Sequence, residues 1–333
     1  MTQSVVVTGA SAGVGRAVAR AYAQRGARVA LIARGEAGLA AAERDCRTRG
    51  AADVRAYRVD VADAGAVQQA ADDVVHHWGT IDAWVNNAMV SVFAPAWEIT
   101  APEFRRVTEV NYLGTVHGTL AALRHMRAHG RGAIVQVGSA LAYRGIPLQS
   151  AYCASKHAIQ GFNDSLRAEL LHDCPAVSLS MVQLPALNTP QFSWVRTRLA
   201  RHPQPVPPIF APEVAARAVL WAADRGVREL NVGGPTWQAR LGDIFLPGLL
   251  DRKLARDGYD SQQTGMLIDR ASWRDNLDRP RDDEQDHGAD GIFADQARHR
   301  SPALWVDIHK RALSGLALAG LTLALAGLVR RRR

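Results

Sequence analysis

Tyr152 and Lys156 stand four positions apart in AYCASKHA, residues 151–158. On a helix, one turn brings that lysine beside the tyrosine. A phenol with an ordinary pKa of about 10 is a poor base at neutral pH unless a nearby cation favours its ionised form. The pair therefore suits proton transfer at a carbonyl or carbinol oxygen, with Tyr152 as acid/base. Cys153 points off that face as Tyr152's neighbour and reads as buried packing.

A second chemical pattern lies near the N-terminus, where SVVVTG runs straight into TGASAGVG (8–15) and an Ala-rich helical stretch. Gly9, Gly13 and Gly15 would let a pyrophosphate approach backbone N–H groups at the positive end of a helix. The second apolar run ends in LIAR, so Ala33 and Arg34 stand where a carboxylate would hold a free ribose 2′-hydroxyl. A guanidinium there suits a 2′-phosphate, with Ser11 as a further donor, so NADP(H) is expected over NAD(H). Asp60, ending the third run, is placed either to hold the adenine edge or to cap a turn.

The elements that must position these residues are legible as alternating runs. Apolar, β-branched segments at 4–9, 28–34, 54–60, 81–88, 132–139, 177–184 and 228–234 are separated by Ala/Leu/Arg stretches of helical period. Seven such strands predict an α/β fold: a Rossmann-type doubly wound parallel sheet over residues 1–235, with a C-terminal helical extension at 236–271. Residues 272–302, crowded with Arg, Asp, Gly and His, read as a flexible, solvated linker. Residues 303–333 read as an apolar helix with a basic end.

TGASAGVG, NNAM (86–89), Asn111 in EVNYLG, Ser139 in VGSALA and YCASK (152–156) together resemble the single-domain branch of the short-chain dehydrogenase/reductase family, over residues 3–235. The resemblance implies an enzyme in which Tyr152 is the acid/base, Lys156 also binds the nicotinamide ribose, Ser139 holds the substrate oxygen, and Asn111 positions a water linking Lys156 to solvent. It implies a cofactor-binding set of Gly9, Ser11, Gly13, Val14, Gly15, Arg34, Asp60, Val61, Asn87, Tyr152, Lys156 and Thr189. Asn86 and Asn87 are expected to satisfy backbone groups at the end of the fourth strand. It further implies a homodimer or homotetramer built on helices at 101–129 and 151–173. Two positions depart from the family: Met89 replaces a glycine beside the mouth, and Pro185–Ala186 replaces Pro-Gly, which a negative φ at Ala186 would accommodate.

The segment 184–210 is expected to supply a lid, and its Phe192, Trp194, Val195, Ile209 and Phe210 suggest an apolar substrate. Two other classes fit part of the sequence: a non-catalytic NADP(H)-binding sensor, which would need the glycine turn but not the Ser-Tyr-Lys set, and a membrane-associated scaffold, which explains only the tail.

With 333 residues and 47% hydrophobic content the chain is long and apolar enough for a sizeable core. Its three cysteines have no metal-ligand spacing, no metal is expected, and the first strand begins without a signal-peptide region, so a cytoplasmic location is expected. The formal charge of +8 comes from arginines scattered among acids, with no aromatic-interleaved basic stripe, which argues against nucleic acid as a partner. Residues 312–329 are uncharged and apolar between Lys310–Arg311 and Arg330–Arg333. As a helix they would reach about 27 Å against a hydrocarbon core of about 30 Å, so attachment to the cytoplasmic face of a membrane is expected, by a transmembrane helix or by a helix lying at an anionic surface.

Overall fold

The computed structural model describes residues 2–310 and residue 313. The seven apolar runs all become strands. They are β1 (Ser4–Thr8), β2 (Arg28–Ala33), β3 (Asp53–Arg58), β4 (Ala83–Asn86) and, beyond the two-residue β5 (Val92–Phe93), β6 (Gly132–Val137) and β7 (Val177–Gln183). Short strands β8 (Arg196–Thr197) and β9 (Arg201–Pro203) precede β10 (Glu229–Asn231), the last of the seven, and β11 (Gln263–Leu267) follows. The sheet order is β10-β7-β6-β4-β1-β2-β3, parallel throughout. The order reverses between β1 and β4, which opens the crevice where this fold class binds its ligands.

Helices fill the crossovers: α1 (Gly13–Ala23), α2 (Glu36–Thr48), α3 (Ala64–Trp78), α4 (Ala101–Val107), α5 (Gly114–His129), α6 (Ser150–Asp173) and α7 (Pro212–Arg225). The period of two along β1 explains the two cores. Val5 and Val7 join Val18, Leu39 and Val214 on one face, while Val6 joins Val67, Ala122 and Leu166 on the other. Both faces are covered, so the central strands must be apolar at every position.

The extension at 236–271 contains α8 (Gly234–Phe245), α9 (Pro247–Asp257) and β11, which pairs antiparallel with β9. The expected linker is not a solvated tether. Residues 272–302 hold little regular structure, yet Leu277, Asp282, Ala289 and Phe293 are buried, and Leu277 belongs to the same core as Val67 and Trp84. Isolated apolar anchors, main-chain hydrogen bonds and ion pairs such as Arg58–Asp283, Arg196–Asp278 and Arg16–Asp286 carry this packing, so no apolar period betrays it. The boundary expected at residue 303 also falls inside packed structure, because residues 302–310 are helical and bury Leu304 and Asp307. No helix among the described residues is long and apolar enough to cross a membrane. The candidate tail segment, 312–329, lies outside the described residues save residue 313.

Candidate active site

α6 presents Tyr152 and Lys156 to the end of β6, as the four-residue spacing requires. Lys156 is buried and donates from Nζ to the Val137 carbonyl at 2.7 Å. Its Nζ lies 5.6 Å from the centroid of the Tyr152 ring. Burial lowers the lysine from 10.5 to about 8, so it remains charged at neutral pH. Burial raises the Tyr152 phenol above its ordinary value, and the neighbouring Ser139 hydroxyl opposes that rise. The phenol is thus held in its protonated form, with a cation near its ring.

Ser139 follows β6 directly. Its hydroxyl accepts from the Leu141 N–H at 3.1 Å, capping a short turn, and its own N–H donates to Gln183 Oε1 at 2.8 Å. Gln183 is fully buried and was not singled out in the sequence. A polar residue at the end of β7, just before Leu184 in the apolar run VSLSMVQL, was the available signal. Asn111 sits in a π-helical turn, Thr108–Leu113, between α4 and α5. Its Oδ1 accepts from Val90 N–H at 2.8 Å, and its Nδ2 donates to the Val90 carbonyl and to Ser155 Oγ, each at 3.0 Å. Ser155 in turn donates to the Tyr152 carbonyl at 2.7 Å. The side chain expected to position a water is therefore engaged with protein groups and fastens the loop after β4 to the helix that carries Tyr152.

At the other end, Gly9, Ser11, Gly13, Val14, Arg34, Asp60, Val61, Asn87 and Thr189 line one cavity of about 170 Å³, together with Met89. A neighbouring cavity of about 280 Å³ is lined by Ser139, Tyr152 and Lys156, and it shares Val14, Asn87, Met89 and Thr189 with the first. The two are halves of one cleft, with Met89 at the junction. Gly15 stands behind the turn, where a Cβ would lie 2.1 Å from the Gly9 carbonyl oxygen. Gly9 has φ +64° and would place a Cβ 2.8 Å from Ala88 Cα, so both positions require glycine. This cradle, at the start of α1 and the carboxyl ends of β1, β2 and β4, fits a dinucleotide. Ala186 is not among the residues with positive φ, which removes the objection to its replacing glycine.

Several expected contacts differ. Asn87 does satisfy backbone, donating to the carbonyls of Thr8 and Gly9 at 3.0 and 3.3 Å. Asn86 instead joins a buried side-chain network, accepting from Trp84 and donating to Thr119 and Gln136. Asp60 lines the cavity but caps its own turn through Ala62 N–H at 3.0 Å and accepts from Arg106. Partial burial pushes its carboxyl up, but those two contacts hold it below the ordinary value. Arg34 donates to the carbonyls of Asn276 and Leu277 at 2.5 and 3.1 Å, with a longer contact to that of Asp278 at 3.4 Å. It is not free to face a 2′-phosphate. Of the five lid residues, Phe192 alone faces the Tyr152 cavity and Trp194 lines the other. Val195 and Ile209 pack with Phe93 and Phe293, and Phe210 joins the main core. Cys153 is buried, as expected, and burial raises its thiol to about 11.

The sequence profile of the short chain dehydrogenase family matches residues 3–199. The chain is 34% identical over 263 residues to an uncharacterized oxidoreductase, YxnA, of Bacillus subtilis, covering 78% of this chain and 73% of that protein. It is 40% identical over 165 residues to a D-threitol dehydrogenase of Mycolicibacterium smegmatis, covering 49% of this chain and 63% of that one. Among solved structures, an alcohol dehydrogenase of the archaeon Thermococcus sibiricus, complexed with 5-hydroxy-NADP, matches with a TM-score of 0.59 and 27% identity, over 69% of this chain and 96% of that one. With the glycine turn, the parallel sheet and the Ser-Tyr-Lys constellation in place, the chain belongs to the short-chain dehydrogenase family of oxidoreductases.

Proposed function

We propose that this chain interconverts a carbonyl and an alcohol with a nicotinamide dinucleotide, using Tyr152 as the proton donor and acceptor. The observation that carries the proposal is the meeting of Ser139, Tyr152 and Lys156 on one wall of the cavity that continues into the glycine cradle. The nicotinamide ring, when bound, supplies or accepts the hydride. Tyr152 gives its proton to the substrate oxygen in reduction and takes it back in oxidation, and Ser139 orients that oxygen. Lys156, charged at neutral pH, favours the transient phenolate and offers its ammonium to the ribose. Asn111 and Gln183 act through others, the first on the Tyr152 turn and the second on Ser139.

The lining of Leu141, Ile146, Leu187, Phe192 and Val206 supports a substrate with an apolar body, and Gln149, Gln191 and Gln204 supply polar groups around it. The exposed Leu120 and Leu171 on α5 and α6 support the homo-oligomer that the resemblance implies. Attachment to a membrane through residues 312–329 rests on their sequence. A preference for NADP(H) would rest on Arg34 at the end of β2 and Ser11 in the turn after β1, and it requires the guanidinium to be released from its present partners.

The test is oxidation and reduction of alcohols and aldehydes or ketones of increasing apolar length, followed by nicotinamide absorbance, with Tyr152→Phe in parallel. Turnover is expected to fall about a hundred- to ten-thousandfold in the variant, with dinucleotide affinity retained. Near-normal kcat in the variant would remove Tyr152 from the chemistry. A wild-type chain that binds dinucleotide tightly but turns over no carbonyl would favour the sensor reading.

A further inference from the structure

The belt formed by residues 276–288 lies outside the residues matched by the family profile, yet it is fastened to the groups that would read the ribose 2′ position. That position is read at the carboxyl end of β2 and the start of α2. Arg34, at the end of β2, is engaged by the main-chain carbonyls of Asn276 and Leu277. At the N-terminus of α2, the Gly38 N–H donates to the Asp282 carbonyl at 2.8 Å and the Ala37 N–H to the Asp283 carbonyl at 3.2 Å. The Glu36 N–H donates to the Asp283 carboxylate at 3.1 Å, and Arg58 donates to both oxygens of that carboxylate at 2.9 and 3.2 Å.

An arginine and a helix N-terminus together make an anion site, and here the chain's own carboxylate fills it. The fit is close. The Asp282 side chain is buried over Gly35 and Gly38, where a Cβ would lie 1.9 and 2.4 Å from its carboxylate oxygens. The belt continues over the phosphate turn, where the Gly13 N–H donates to the Gly288 carbonyl at 3.0 Å. Asn276, Pro280, Arg281 and Asp282 then close the side of the cleft that Ser11 and Asp60 open.

We infer that residues 276–283 are the element that selects the cofactor: in the closed chain they occupy the donors a 2′-phosphate would need, so the closed form takes NAD(H), and NADP(H) binds only by displacing the belt. This rests on the reading of the cleft as a dinucleotide site. Both charges matter to the argument. A 2′-phosphate entering the closed site would meet the Asp283 carboxylate where it requires cations, and would lack the charge-assisted bonds that normally hold it. A free 2′-hydroxyl carries no such charge and leaves the Asp283 contacts in place, so that only the Gly288 contact over the phosphate turn, which either dinucleotide must open, has to give.

The test is equilibrium binding of NADH and NADPH to the full-length protein, by nicotinamide fluorescence, for wild type, Asp283→Ala and Asp283→Asn. Asp283 is exposed, so both variants are expected to fold, and the asparagine keeps an acceptor for the Glu36 N–H while removing the charge. Wild type is expected to bind NADH at least about tenfold more tightly than NADPH, and both variants are expected to shift the ratio toward NADPH by about tenfold, the order of one lost or gained charge-assisted contact. A wild-type preference for NADPH overturns the inference, and so does a ratio that neither variant moves while both nucleotides still bind. Failure to bind either nucleotide would instead overturn the dinucleotide reading of the cleft on which the inference stands.

Discussion

The two ends of the cleft are assembled over very different lengths of chain. At the Tyr152 end, where proton transfer is proposed, Tyr152 and Lys156 share one turn of α6, and Ser139 arrives from the adjacent strand end. At the β2 end, Arg34 is met by carbonyls 242 and 243 positions further along the chain. The first arrangement follows from helical spacing and the order of the sheet. The second depends on where an irregular segment comes to rest, which no local period specifies. Chemistry built from neighbouring residues can therefore be anticipated from spacing, whereas selectivity supplied by a remote belt cannot.

Lys156 gives the largest effect and breaks the proton-transfer end. Lys156→Met removes the cation that favours the phenolate, and kcat is expected to fall on the order of a hundredfold or more. The same change is expected to raise the melting temperature. Burial holds the native lysine at about 8 against 10.5, so the native state binds the proton less readily than the unfolded chain. Keeping Lys156 charged in the interior costs stability at and below pH 8, and that cost fades as pH rises from about 8 to the unfolded value. The gap in melting temperature between variant and wild type should be widest near pH 7 and narrow by pH 10. A gap that widens with pH would reverse the assignment of burial as the cause.

The seven strands, their parallel order and most of the glycine cradle were legible because a sheet buried on both faces forces apolar residues at every strand position and glycine at the tight turn. Ser139, Tyr152 and Lys156 were legible by motif. Arg34 was identified as a residue at the right place with the wrong partner, since a lone guanidinium does not announce which acceptor it will meet. Asn111 was singled out without its contacts, because those with Val90 and Ser155 arise only when the π-helical turn is laid against α6. The belt was misread because Leu277, Ala289 and Phe293 are single apolar anchors in a polar stretch. Its remaining grip is made by main-chain groups and by aspartates paired with remote arginines, and composition does not reveal which acid meets which base.

The end of the chain sharpens where the folded unit stops. Leu304 is buried in the main core, and Asp307 Oδ2 accepts from the Asn231 N–H at 2.7 Å, fastening the edge strand β10. Ending the chain after residue 303 removes both and is expected to cost on the order of 2–5 kcal/mol, the range for emptying a leucine site. Ending it after Lys310 leaves every one of those contacts and is expected to leave melting unchanged. If residues 312–329 hold a membrane, the chain ended at 310 stays in the supernatant while the full-length chain sediments with vesicles. Equal melting of the two truncations would show that residues 304–310 do not belong to the folded unit.

Arg34 gives the smallest expected effect and addresses the belt directly. Its bonds to the Asn276 and Leu277 carbonyls are partly buried charged-donor contacts, and removing the guanidinium leaves those acceptors without it. Arg34→Ala is expected to lower stability by on the order of 2 kcal/mol, read as a drop of several degrees in melting temperature. The loss should be local as well as global. Asp282 and Asp283 would still hold the start of α2, so the belt is expected to loosen from its 276–278 end while residues 282–288 stay fastened. Hydrogen exchange resolves the two: faster exchange is expected around residues 276–281, with the Gly38 amide, bonded to Asp282, still protected. Unchanged exchange and melting would mean that the belt is held without Arg34, and the contrast between a locally built catalytic end and a remotely fastened β2 end would then rest on the acidic residues alone.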